Sequence, residues 1–174
     1  PEVVSILYGC LKVGAIAVPI FSGFGREATA TRIDDAEPAV LFTGDGFYRR
    51  GDEVRLKATA DEAVADAGHV EEVVVYDRLG ATPAGGDGAD GTGEADGGTD
   101  ADPVPWNDER DRTWEEAVGS QPAAYETKRL PSDQESMLLY SSGTTGTPKG
   151  IVHTHAGVLT QCAKEIHFGF DQKP

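Results

Sequence analysis

The sequence has few cysteines, few basic residues and no long apolar run. Its two cysteines, Cys10 and Cys162, lie far apart without the spacing of a disulfide framework or a metal site. Both fall in apolar helical patterns, so we predict buried free thiols in a reducing cytoplasm. No apolar run approaches the roughly 18 residues that a membrane-spanning helix requires, and no secretory leader is visible. These absences exclude a disulfide-stapled scaffold and a helical membrane protein.

Acidic residues outnumber basic residues two to one. The chain has 15 Lys and Arg against 30 Asp and Glu, for a formal net charge of −15. This balance argues against nucleic acid and anionic membranes as partners, because both are bound by basic surfaces. Surplus acids keep a protein soluble where salt screens their repulsion, so we expect a salt-adapted source; one acidic loop skewing the total is the alternative. Loss of the fold between about 2 M and 0.1 M KCl would support salt adaptation, and a salt-independent melting temperature would contradict it.

The first half of the chain alternates helical and strand patterns. The apolar run 39–43 is typical of a strand buried on both faces. Strands separated by helices of this length predict an α/β fold with right-handed βαβ units on a parallel sheet. Helices are predicted over 3–13, 26–36 and 51–67, and strands over 16–20, 39–43 and 73–76.

The second half is interrupted by residues 79–109, which contain eight acids and no Lys or Arg. We predict a disordered or solvated acidic insertion that buries no core, with a regulatory segment as the alternative. A capping box of Thr113 and Glu116 predicts a short helix over 113–118. Strands are predicted over 135–141 and 151–154, followed by a helix over 157–168. If residues 151–155 form a strand, His153 and His155 share one face, and we expect structural or loop-supporting histidines there rather than a metal site.

The run from Tyr140 to Gly150 stands apart from these elements. All seven residues from Ser141 to Thr147 are Gly, Ser or Thr, and Lys149 follows Pro148. Glycines let a backbone approach a ligand, and amides, hydroxyls and an ammonium together bind phosphate oxygens. The run is not the P-loop pattern G-x-x-x-x-G-K-[ST], because Gly150 follows the lysine. The run therefore predicts a nucleotide-phosphate loop, with a polar hairpin loop that binds nothing as the alternative.

Ser141-Ser-Gly-Thr-Thr-Gly-Thr-Pro-Lys-Gly150 resembles the [ST]-S-G-[ST]-T-G-x-P-K-G signature of the adenylate-forming, or AMP-binding, enzymes. The resemblance implies that the chain is an internal fragment, residues 1–174, of their large N-terminal domain, and that the small C-terminal domain lies outside it. It also implies ATP and Mg²⁺ as cofactors, with hydroxyls, amides and glycines around the β- and γ-phosphates. The implied phosphate-binding positions are Ser141, Ser142, Gly143, Thr144, Thr145 and Gly146, and the implied catalytic charge is Lys149.

A second stretch narrows the resemblance to one branch. Phe21-Ser-Gly-Phe24 and residues 32–51 resemble the short-chain, acetyl- and propionyl-CoA synthetases. There, an aromatic loop lies against the adenine of coenzyme A and a basic residue meets its phosphates. Ser22 stands where that branch has glycine, and Asp52 where it often has a second base. In the alternative reading, the two phenylalanines only pack and the arginines begin a helix. The implied CoA-binding residues are Phe21, Ser22, Gly23, Arg49 and Arg50.

The resemblance implies an ATP-dependent acyl-CoA synthetase. A carboxylate, ATP and CoA would give acyl-CoA, AMP and pyrophosphate by way of an acyl-adenylate, so the partners would be small molecules. We expect residues 1–174 alone to be inactive, because the acyl pocket, the magnesium-binding glutamate and the C-terminal lysine of such enzymes lie downstream of the loop. Another adenylate-forming ligase, for longer acids or peptide synthesis, and a non-catalytic nucleotide-binding relative are the alternatives.

Overall fold

A computed structural model describes residues 2–65, 67–83, 103–142, 146 and 148–169. The chain divides into a flanking unit, Pro1–Ile20 with Ala124–Pro174, and a central unit, Phe21–Ala123. Among the described residues, no helix combines the length and apolar character needed to cross a bilayer. The elements in chain order are α1 (Glu2–Val13), α2 (Arg26–Ala36), β1 (Val40–Gly44), β2 (Phe47–Arg49), β3 (Asp52–Val54), α3 (Leu56–Val64), β4 (Glu72–Tyr76), β5 (Asp111–Thr113), a π-helical turn (Glu115–Gly119), β6 (Glu135–Ser141), β7 (Lys149–Thr154), α4 (His155–Lys164) and a second π-helical turn (Glu165–Gly169).

The central unit is built on a three-stranded parallel sheet in the order β1-β4-β5. Strand β4 lies in the middle, and its Val73, Val74 and Val75 are almost completely buried. Helix α3 lies between β1 and β4 in the chain and packs against α2 and β1. Two neighbouring parallel strands require such a crossover, because the end of the first strand and the start of the second lie at opposite ends of the sheet. The predicted α/β fold with a parallel sheet is confirmed.

Strand β1 is not buried on both faces, so that prediction is wrong. It lies at one edge of the sheet, and its Val40 and Phe42 are 40% and 39% exposed. The Phe42 ring meets Trp114 edge-on at a centroid distance of 6.5 Å, and Trp114 meets Tyr76 at 5.9 Å. A short apolar run has the same composition in an edge strand and in a central strand, so composition alone did not separate the two.

A hairpin replaces the start of the helix predicted over 51–67. Strands β2 and β3 pair antiparallel, with Arg49 opposite Asp52, and α3 begins only at Leu56. The two residues between the strands, Arg50 and Gly51, both have positive φ, 56° and 94°. Two-residue turns with both φ values positive match the natural twist of paired strands. The helix-start interpretation of the two arginines is therefore wrong: Arg49 ends a strand, and Arg50 lies at the tip of a hairpin.

The described ends of the acidic insertion are packed, contrary to prediction. Leu79, Ala81 and Val104 are each at most 5% exposed and form a small core with Trp106. The N–H of Val104 donates to the carbonyl of Ala81 at 3.1 Å, so the two stems of the insertion are hydrogen bonded to each other. Residues 84–102, the centre of the predicted disordered segment, lie outside the described residues.

The capping box is confirmed, although the helical segment after it is a π-helical turn. The N–H of Thr113 donates to Glu116 Oε2 at 2.8 Å, and the N–H of Glu116 donates to Thr113 Oγ1 at 3.2 Å. The first of these bonds is the main reason that the pKa of Glu116 lies below its usual value. The preceding residues 111–113 form β5, which the sequence analysis did not predict.

The flanking unit contains both predicted strands, β6 and β7, and they pair antiparallel, with β7 beginning at Lys149, two residues earlier than predicted. Ala17 adds a parallel bridge to Met137, and α1 stops at Gly14, whose φ is 77°. Strand β7 ends at Thr154, whose hydroxyl accepts the N–H of Gly157 at 3.1 Å and caps α4. His155 is therefore the first residue of a helix, so the prediction that it shares a strand face with His153 is wrong.

Both cysteines are free, as predicted, but they are not both buried. Cys10 is half-buried and Cys162 is exposed. Burial raises the pKa of the Cys10 thiol, which keeps that group protonated and unreactive near neutral pH. Cys162 lies in α4, whose residues are all at least partly exposed, so its apolar helical pattern did not indicate a buried position.

Candidate functional site

The segment that carries the signature motif Ser141–Gly150, here called the signature loop, is closed by the last residue pair between β6 and β7. Ser141 pairs with Lys149, and Tyr140 pairs with Gly150, in one antiparallel ribbon. Lys149 is thus the first residue of a strand rather than the start of a helix. The arrangement fixes both ends of the loop, and Lys149 directly faces its first predicted phosphate-binding residue.

The described loop residues are exposed. Ser141, Ser142, Gly146 and Lys149 all face solvent, where hydroxyls, amides and an ammonium are accessible to an anion. Gly146 has φ 84°, a left-handed conformation that favours glycine. The predicted phosphate-binding residues Gly143, Thr144 and Thr145 lie outside the described residues.

Gly150 lies beside the Leu138 side chain of the partner strand. A Cβ at this position would come within 2.9 Å of Leu138 Cδ1 and 3.5 Å of the Tyr140 ring. Leu138 Cδ1 is the end of a flexible side chain, so a small residue at this position is accommodated by a shift of that side chain.

The aromatic stretch at Phe21–Phe24 forms a tight turn with an exposed ring. The N–H of Phe24 donates to the carbonyl of Phe21 at 3.0 Å, and the two rings meet edge-on at 5.5 Å. Phe21 is nevertheless 62% exposed, so packing against Phe24 leaves most of it accessible. A Cβ on Gly23 would collide with the Phe21 ring in its present position, so a larger residue there would have to displace that ring. Ser22, in the middle of the turn, is exposed.

The neighbouring helix α2 supports this turn. The guanidinium of Arg32 lies 4.2 Å from the centre of the Phe24 ring, a cation–π contact made by a largely buried arginine. Phe24 is thus held from one side by Arg32 and from the other by Phe21. The cation–π contact of Arg32 with Phe24 holds the turn in place, and the Phe21 ring remains accessible to solvent.

Arg49 and Arg50 are both exposed on the β2–β3 hairpin. Arg49 ends β2, and Arg50 occupies the turn with φ 56°. Each of these two consecutive, exposed arginines carries a guanidinium group, which is suited to binding phosphate oxygens. Phe21, Arg49 and Arg50 all belong to the central unit, and the signature loop belongs to the flanking unit.

Sequence reasoning missed Asp45, which is completely buried. Its Oδ1 accepts the N–H groups of Gly46 at 2.7 Å and Arg78 at 2.9 Å; its Oδ2 accepts those of Leu79 at 2.8 Å and Ala81 at 3.2 Å. Burial alone would raise the pKa of Asp45, but hydrogen bonds from the N–H groups of Arg78, Leu79 and Ala81 and from the Asp77 side chain lower it, while burial and the contact with Asp45 raise the pKa of Asp77. An aspartate directly after a strand and before a glycine was the only available signal.

A buried ionic cluster was also missed. Lys57 is completely buried, and its Nζ lies 2.6 Å from Asp111 Oδ2, 2.7 Å from Asp61 Oδ2 and 3.0 Å from the carbonyl of Pro105. Arg110 bonds to the same two carboxylates. Burial alone would raise the pKa of Asp111, yet hydrogen bonds from Arg110 and Lys57 hold it below its usual value. The cluster joins α3 to β5 and is structural rather than catalytic.

Comparison with known proteins decides the family. The family model described as AMP-binding enzyme matches residues 1–173. The chain belongs to the AMP-binding enzyme family. This AMP-binding chain is 40% identical over all of its length to the acetyl-coenzyme A synthetase of Streptomyces coelicolor, and it covers 24% of that protein. It is also 40% identical over 157 residues to the acetyl-coenzyme A synthetase of Methanothrix thermoacetophila, covering 90% of this chain and 21% of that one.

A solved structure agrees with this assignment. The acetoacetyl-CoA synthetase of Streptomyces lividans superposes with a TM-score of 0.78 and 26% identity, covering all of this chain and 23% of that chain. The AMP-binding chain therefore spans about a quarter of the length of the curated relatives that it matches. The resemblance found from the signature loop is confirmed, and the fold is that of a corresponding region in an acyl-CoA synthetase.

Proposed function

We propose that this chain is part of an AMP-forming, short-chain acyl-CoA synthetase that acts on acetate or a similarly small carboxylate. The observation that carries the proposal is the signature loop closed by the Ser141–Lys149 pair, in a chain that aligns over its whole length with acetyl-coenzyme A synthetases. The loop supports adenylate chemistry, and the similarity supports CoA as acceptor and a short acid as substrate.

The first half-reaction would be adenylation. A carboxylate oxygen bonds to the α-phosphorus of ATP, and the bond from that phosphorus to the pyrophosphate oxygen breaks. This step needs positioning and charge neutralisation more than covalent help from the protein. The exposed hydroxyls of Ser141 and Ser142 are available as donors to the departing phosphates, and the ammonium of Lys149 offsets their charge. Bound with ATP, Mg²⁺ would supply further neutralisation of the phosphate oxygens.

The second half-reaction would transfer the acyl group to CoA. The thiol sulfur bonds to the acyl carbon, the acyl–phosphate bond breaks and AMP leaves. The exposed Phe21 ring offers a stacking face for the adenine of CoA, and Arg49 with Arg50 offers guanidinium donors for its phosphates. The predicted roles of Phe21, Ser22 and Gly23 remain part of this proposal.

Replacing Arg49 by alanine tests the CoA assignment. In protein made from the complete reading frame, we expect the KM for CoA to rise about tenfold to 100-fold, because a charge-assisted hydrogen bond contributes about 1.5–3 kcal/mol. Acid-dependent exchange between pyrophosphate and ATP should stay within about twofold, because CoA takes no part in that step. Steady-state thioester assays and the exchange assay measure the two effects separately.

Arg129→Ala is the matched control for this experiment. Arg129 is an exposed arginine of the flanking unit, so its loss changes the net charge equally and removes none of the hairpin or Asp45 contacts. Its KM for CoA should equal that of the wild type. An Arg49→Ala protein that is impaired only in the exchange reaction would contradict the CoA assignment and favour another adenylate-forming ligase.

A further inference from the structure

Asp45 lies where three segments of the central unit meet. Strand β1 ends at Gly44, the β2–β3 hairpin begins immediately after Asp45, and β4 ends at Tyr76. The N–H of Asp45 donates to the carbonyl of Tyr76 at 3.0 Å. We propose that Asp45 is a positioning residue that fixes the direction of the hairpin carrying Arg49, and so sets the affinity for CoA; this inference rests on the proposed function.

Both ends of the hairpin converge on this one residue. The hairpin leaves at Gly46, whose N–H donates to the Asp45 carboxylate at 2.7 Å. It returns at Leu56 and Lys57, whose N–H groups donate to the main-chain carbonyl of Asp45 at 3.1 and 3.3 Å. Hydrogen bonds to the side chain and to the main-chain carbonyl of Asp45 therefore hold both ends of the segment 46–55.

The carboxylate connects that base to the chain after β4. Its two oxygens accept the N–H groups of Arg78, Leu79 and Ala81 as well as that of Gly46, two donors to each oxygen. An amide of the same shape would place its NH₂ group against two N–H donors in either orientation. Both oxygens are therefore needed, and Asp45→Asn would release two of the four bonds without removing the side chain.

At the base of the hairpin, Gly46 has no space for a side chain. A Cβ on Gly46 would lie 2.6 Å from the carbonyl oxygen of Val54 and 2.6 Å from Leu79 Cδ1. The first of these atoms belongs to the returning strand β3 and the second to the chain that Asp45 holds. A side chain at position 46 would push these segments apart and redirect the hairpin, while the Asp45 carboxylate remained present.

The test uses Asp45→Asn in protein made from the complete reading frame. We expect the KM for CoA to rise about tenfold, because a shift of about 1 Å in a binding group has effects of this order or larger. The kcat at saturating CoA and the pyrophosphate exchange rate should stay within about twofold. Gly46→Ala should reproduce the same pattern, and it decides the question where Asp45→Asn does not fold.

Two comparisons separate positioning from general destabilisation. Glu116→Ala weakens the same unit through the capping box at Thr113, which shares no residue with the Asp45 contacts, so its KM for CoA should stay at the wild-type value. Asp45→Asn added to Arg49→Ala/Arg50→Ala should not raise the KM further, because Asp45 acts through the hairpin that carries both arginines. Equal increases in KM for Asp45→Asn and Glu116→Ala would overturn the inference, as would a further increase in the triple variant.

The single variant Arg49→Ala distinguishes this inference from the proposed function. If Arg49→Ala leaves the KM for CoA unchanged, the proposed CoA site is wrong and the positioning role goes with it. If Arg49→Ala raises the KM and both Asp45→Asn and Gly46→Ala retain the wild-type value, the CoA site stands and only the role of Asp45 is refuted.

Discussion

Replacing Lys149 by alanine is expected to slow acid-dependent pyrophosphate–ATP exchange by about 100-fold to 1,000-fold, the usual effect of removing one preorganised donor from a developing charge. Lys149 is exposed at the first position of β7, opposite Ser141 at the mouth of the loop. This placement lets its ammonium offset charge on the departing pyrophosphate. Acyl transfer from isolated acyl-adenylate to CoA should stay within about threefold, because pyrophosphate has already left.

Lys164→Ala is the matched control for the loop lysine. Lys164 is an exposed lysine of the same unit, 3.4 Å from Glu165 in a surface pair, so its removal changes the charge equally at little cost. Its exchange rate should equal that of the wild type. An exchange rate for Lys149→Ala within about threefold of the wild type would refute the proposed role. Equal losses in both half-reactions would show that the residue only supports the fold.

Replacing Lys57 by methionine is expected to lower the free energy of unfolding by about 1–3 kcal/mol, because the buried Asp111 carboxylate and the carbonyl of Pro105 each lose a hydrogen-bond donor. Lys57 and Asp111 are both completely buried and lie 2.6 Å apart. Arg110 continues to pair with Asp111, so the carboxylate keeps one cationic partner. Urea denaturation measures the change. A free energy of unfolding within about 0.5 kcal/mol of the wild-type value would contradict this role.

The same cluster should make the protein sensitive to acid. The folded-state pKa of Asp111 is lowered, so its carboxylate stabilises the fold above its unfolded pKa of about 3.9. That stability is lost as the pH falls through the folded-state value, because the unfolded chain then binds more protons. Unfolding free energy should therefore decrease below about pH 4, and the decrease should be smaller in Asp111→Asn.

Elements with a strong local pattern were predicted well from the sequence. Helix α2 and strand β6 have the predicted bounds, and the capping box at Thr113 forms as expected. The β2–β3 hairpin was missed because Arg50 occupies a turn position with positive φ, where Gly or Asn is the usual signal. Strand β5 was missed because its first residue, Asp111, is polar, and its buried partner Lys57 lies 54 residues away.

In the candidate site, too, residues with a local sequence pattern were predicted and residues with long-range contacts were missed. The signature loop was recognisable because its residues are consecutive and chemically distinctive. Asp45 was not recognisable, because three of its four carboxylate partners are backbone N–H groups 33 to 36 residues later in the chain. A backbone donor leaves no trace in the identity of the residue that provides it. Long-range polar contacts of this kind become visible only when the fold brings the segments together.

Product analysis of the protein from the complete reading frame tests the central claim most directly. The protein is incubated with ATP, CoA, Mg²⁺ and, in separate reactions, acetate, propionate or acetoacetate, and the nucleotide and thioester products are quantified. The account predicts that a short acid yields AMP and pyrophosphate in equal amounts with the acyl-CoA. Formation of ADP and phosphate, or nucleotide cleavage that does not depend on any acid, would contradict it.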